Sequence, residues 1–65
     1  MLPHQQRVVD ESNDLKVKID ALALFLNGAA SAGLGTAERG RLKRQYTYMS
    51  EYWVVLQERI SAFAN

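Results

Sequence analysis

Apolar residues recur along the first part of the chain at alternating spacings of four and three residues, as in a helix that buries one narrow stripe. The stripe consists of Val8, Ser12, Leu15, Ile19, Leu22 and Leu26. Ser12 is its one polar member, and Val17 and Leu24 lie almost opposite it on a helical wheel. The pattern predicts a helix over about residues 3–26, with Pro3 in its first turn and a second apolar strip on its far side.

The second part of the chain carries a broader apolar surface with the same heptad spacing. Its central residues are Leu42, Tyr46, Met49, Trp53, Leu56, Ile60 and Phe63. Tyr48 and Val55 widen this surface on one flank, to an arc of roughly 200° at about 100° per residue. No strand-like alternation competes, so we predict a helix over about residues 36–64.

A glycine-rich segment, residues 27–35, separates the two patterns and holds three of the four glycines. Asn27 and Gly28 are good helix stops, and Thr36 is a good N-cap for the next helix. The segment therefore predicts a flexible connection that lets the helices fold back as an antiparallel hairpin. The fold class is all-α, with a single domain over residues 1–65.

Each predicted helix carries more apolar surface than the other can cover. A core below about 70–80 residues also supplies only about 3–5 kcal/mol of stability. We therefore expect a homodimer in which two hairpins form an antiparallel four-helix bundle. The predicted residues of the core and dimer interface are those of the two heptad stripes given above, without the polar Ser12.

Composition excludes several kinds of function. The chain has 65 residues, a formal net charge of +1, no cysteine and one histidine, His4. These values argue against disulfides, cysteine-based zinc sites and a strongly basic nucleic-acid-binding protein. No apolar run reaches the roughly 20 residues of a membrane helix and no signal peptide is evident, so the cytoplasm is the expected location. We expect no enzyme, no cofactor and no metal site, because the chain offers no catalytic set of side chains.

Two local patterns resemble ligand sites only superficially. Asp10 and Asp14 share a helical face, but a metal site needs more converging oxygen ligands, and we interpret them as a solvated acidic face. The glycine-rich segment lacks the lysine of a phosphate-binding loop, with Leu34 in its place, and follows a helix instead of a strand.

One basic cluster, residues 39–44, lies near the start of the second helix, where the helix dipole disfavours cations. Either Asp20 on the facing helix or an acidic partner should offset it. Tyrosine and arginine are enriched at binding hot spots, so the aromatic residues that follow are candidates for contact with a partner. The predicted partner-binding residues are Arg41, Arg44, Tyr48, Val55 and Leu24.

The core spacing also resembles a known family. Residues 4–11, with the leucines and isoleucine of the first stripe, resemble the opening of small helical-hairpin proteins of temperate phages and prophages. The second half is similar from Glu38 to Phe63. The family includes a quorum-sensing anti-activator from a Pseudomonas phage. The resemblance implies a dimeric hairpin that inhibits host proteins, namely a LuxR-type transcriptional regulator and the type IV pilus assembly ATPase.

The leading hypothesis from sequence is therefore a phage protein that binds and inhibits a host protein. A small nucleic-acid-binding or transcription-modulating protein is the first alternative, supported only by the basic cluster. The second alternative is a sponge for a host signalling nucleotide, held between protomers.

Overall fold

The computed structural model describes residues 1–63, which form an antiparallel helical hairpin. Helix α1 spans Pro3–Asn27, the short helix α2 spans Ala29–Ala32, and helix α3 spans Thr36–Ala62. The hairpin measures 46 × 14 × 14 Å and contains no strand within the described residues. The fold is all-α, as expected, and residue 64 of the predicted second helix lies outside the described part. Neither long helix is apolar enough within residues 1–63 to cross a membrane.

The two long helices begin in different ways. Pro3 opens α1, where its missing N–H leaves no donor unpaired, and the Leu2 N–H donates to Gln5 Oε1 at 2.9 Å. The prediction of Thr36 as the N-cap of α3 is wrong, because Gly35 occupies that position with an extended backbone and Thr36 is already helical. The Gly35 carbonyl accepts the first helical hydrogen bond, from the Arg39 N–H at 3.0 Å.

The connection between the long helices is more ordered than its glycine content predicts. Helix α2 forms one turn within it, and Ser31 is only 1% exposed. The Ser31 hydroxyl lies 3.1 Å from the Leu26 carbonyl oxygen and 3.0 Å from that of Gly28, to which it donates. Leu26 lies in the last turn of α1, whose carbonyls lack helical partners, and Gly28 is the residue that follows this helix as its C-cap. Ser31 therefore ties the connection back onto α1.

The core lies along the seam between α1 and α3. Leu56 is fully buried at 0% exposure, and α1 packs against it with Val8, Leu15 and Ile19. Several larger side chains pack at the edge of this cluster and are half-buried: Tyr46, Met49, Trp53, Ile60 and Phe63. Three other residues of the predicted stripes, Leu22, Leu26 and Leu42, are also half-buried. One hairpin thus leaves part of its heptad surface accessible.

Polar contacts between α1 and α3 set the register of the seam. Ser12 is 2% exposed, and its hydroxyl accepts a hydrogen bond from the Gln57 amide. Lys16 places its ammonium 5.3 Å from the centre of the Trp53 ring, within the range of a cation–π interaction. A buried hydroxyl without a partner costs about 1–3 kcal/mol, so a shift of α3 along α1 is disfavoured.

Candidate binding surface

An exposed aromatic strip follows one flank of α3. Tyr48 is 63% exposed, Tyr52 is 44% exposed and Val55 is 50% exposed. Each precedes a core-facing residue by one position, so the three follow the same four-three spacing as the core and lie at its edge. The strip continues at both ends with polar residues at that spacing. We call the whole set the tyrosine stripe: Arg41, Gln45, Tyr48, Tyr52, Val55 and Arg59.

Arginines lie at both ends of the tyrosine stripe. At the start of α3, Arg41 forms an exposed ion pair with Glu38 at 3.4 Å. Arg44 lies one turn further on, and Arg59 lies at the opposite end of the stripe; both are exposed and form no salt bridge within residues 1–63. Exposed ion pairs contribute about 0–1 kcal/mol, so these cations are available to a partner at little cost.

An open groove of about 400 Å³ lies beside Tyr52, between α3 and α1. We call it the Tyr52 groove. Its lining residues are Arg7, Asp10, Glu11, Asp14, Leu15, Lys18 and Tyr52. The Tyr52 hydroxyl donates to the Glu11 carboxylate, which links α3 to α1 at the groove. Two cations and three carboxylates therefore surround one aromatic ring, and the groove carries charges of both signs.

The predicted partner-binding residues fall on two separate surfaces. Arg41, Arg44, Tyr48 and Val55 share the flank of α3 described above. Leu24 is 77% exposed, but it lies about 140° around α1 from the buried Ile19 and so faces away from α3. The fifth predicted residue therefore belongs to a strip on the outer side of α1, together with Val17, which is 69% exposed.

The expected contact between Asp20 and the basic cluster does not form. Asp20 instead pairs with Lys16, one turn earlier on α1, at 3.1 Å. A partner four residues away on the same helix is already in place when the helix forms, whereas an interhelical pair must also order two long side chains. The cations of the cluster, apart from Arg41, thus have no acidic partner within the described residues.

Metal ligation finds no support in the described part of the chain. Within residues 1–63 no group of three or more histidine, aspartate and glutamate side chains is close enough to hold a metal ion. Asp10 and Asp14 both line the Tyr52 groove, and His4 is exposed near the start of α1. The groove can therefore offer hydrogen bonds, single charges and one aromatic face to a ligand.

Sequence reasoning missed the pairing of Tyr52 with Glu11 and of Gln57 with Ser12. The heptad pattern places Tyr52 next to the seam, but it does not give the register of one helix against the other. Ser12 was the available signal, because a buried hydroxyl in an apolar stripe needs a polar partner on the facing helix.

Residues 2–62 match the family described as Sequestin. One relative is an uncharacterized 7.5 kDa protein from the denB–rIIB intergenic region of Enterobacteria phage T4. It is 36% identical over 63 residues, which cover 97% of this chain and 98% of the phage protein. No solved structure matches the chain significantly. The expected similarity to small phage proteins is thus confirmed, and the chain belongs to the Sequestin family.

Proposed function

We propose that this protein inhibits a host protein by binding it in stoichiometric amounts, without catalysis, in the cytoplasm of an infected cell. The observation that carries the proposal is the exposure of Tyr48, Tyr52 and Val55 along one flank of α3, between arginines at both ends. Tyrosine and arginine contribute a large share of the binding energy in protein interfaces. A contiguous exposed apolar strip bordered by polar residues is typical of an interaction site.

The comparisons support the general form of this proposal. The family name Sequestin suits a protein that withholds a ligand, and a relative of nearly equal length comes from a phage. Withholding requires a surface and a ligand but no reactive groups. The earlier resemblance to a quorum-sensing anti-activator supplies two target classes for this proposal, a LuxR-type transcriptional regulator and the type IV pilus assembly ATPase.

We further propose that the functional unit is a homodimer. The hairpin leaves Val17 and Leu24 exposed on the outer side of α1, and within residues 1–63 its core contains four buried apolar side chains, of which Leu56 alone is fully buried. At about 25 cal/mol per Å² of apolar surface, pairing of two such strips would strengthen a small core. A dimer formed through this strip presents two copies of the tyrosine stripe to its partner.

The Tyr52 groove favours a second candidate function, a sponge for a host signalling nucleotide. Arg7 and Lys18 could pair with phosphates, the Tyr52 ring could stack on a base, and carboxylates could accept hydrogen bonds from base N–H groups. The three carboxylates in the same groove oppose phosphate binding in an isolated hairpin. We therefore rank this candidate second.

Quantitative capture from host extract separates the two candidates. The tagged protein is incubated with extract, washed and eluted, and the eluate is analysed for both proteins and nucleotides by mass spectrometry. We expect one host protein at about one copy per protomer, and its loss with the double variant Tyr48→Ala/Arg44→Glu. Retention of a nucleotide instead, lost with Arg7→Ala/Lys18→Ala, would support the sponge and contradict the protein target.

A further inference from the structure

We draw no further inference here: the strongest candidate, the Tyr52 groove between α1 and α3, belongs to the site already described.

Discussion

Removing the Leu56 side chain tests the packing of the hairpin most sharply. Leu56 is fully buried in the seam, and it forms the core cluster together with Val8, Leu15 and Ile19, which are 5–9% exposed. Leucine-to-alanine changes in cores cost about 2–5 kcal/mol, through lost transfer energy and the cavity left behind. A domain of this size holds about 3–5 kcal/mol in total. We therefore expect Leu56→Ala to lose about 3 kcal/mol and to leave the chain close to its unfolding midpoint at 25 °C.

The assay is urea denaturation followed by circular dichroism, at one fixed protein concentration because association would add to the apparent stability. Val55→Ala is the matched control, since Val55 precedes Leu56 on the same helix but is 50% exposed. Its loss should stay within about 0.5 kcal/mol, as for other surface changes. A loss below about 1 kcal/mol for Leu56→Ala, or a larger loss for Val55→Ala than for Leu56→Ala, would refute the packing described here.

Three further predictions concern stability and binding. Gly40→Ala should raise the melting temperature by a few degrees, because an added Cβ meets nothing within 4 Å and alanine favours a helix over glycine by about 1 kcal/mol. Gly28→Ala should raise it less, because the added Cβ would lie 3.4 Å from a carbonyl oxygen at the end of α1. A larger rise for Gly28→Ala than for Gly40→Ala would contradict this. Ser31→Ala should cost about 1–2 kcal/mol in the same urea assay, because the single hydroxyl proton that lies between the Leu26 and Gly28 carbonyl oxygens is lost. An unchanged midpoint would show that the contact contributes nothing. Trp53→Ala should lower the free energy of unfolding by about 3 kcal/mol, because Trp53 packs against the core. Tyr48→Ala should change it by no more than about 0.5 kcal/mol but weaken partner capture about tenfold, because Tyr48 is exposed. Comparable losses of stability in the two variants would place Tyr48 in the core.

The sequence predicts the two long helices and the side of each that packs, because heptad spacing depends only on helix geometry. Leu15, Ile19 and Leu56 lie in the predicted stripes and are buried in the seam. The same spacing marks Tyr48 and Val55 as flank residues, and both are exposed. The buried side of each helix can be predicted from sequence periodicity, because the direction of each side chain depends only on the rotation of about 100° per residue.

What the sequence leaves open depends on three-dimensional contacts. The order of the connection follows from Ser31, which reaches carbonyls three and five residues earlier in the chain. The glycines around Ser31 predict a flexible connection, and nothing in the sequence indicates the hydrogen bond that orders it. Thr36 looks like the better cap, but Gly35 adopts the extended backbone that starts α3. A propensity ranks residues by average preference, and local backbone geometry overrides it here.

The separation of Leu24 from the other candidate binding residues has a similar cause. The exposed apolar residues of each helix can be predicted from that helix alone. Whether residues of two helices form one surface depends on how α1 packs against α3. The contact between Tyr52 and Glu11 fixes that position and assigns Tyr48 and Leu24 to different sides of the hairpin. The sequence therefore predicts the residue types available for binding better than their grouping.

The most direct measurement of the central claim is the stoichiometry of host protein bound by the wild type and by the Tyr48→Ala/Arg44→Glu variant, at equal helicity. Both substitutions lie on the exposed flank of α3, so the hairpin should stay folded. The account predicts about one host protein per protomer for the wild type and at least a tenfold loss for the variant. Equal retention by both proteins, or no host protein retained by either, would contradict it.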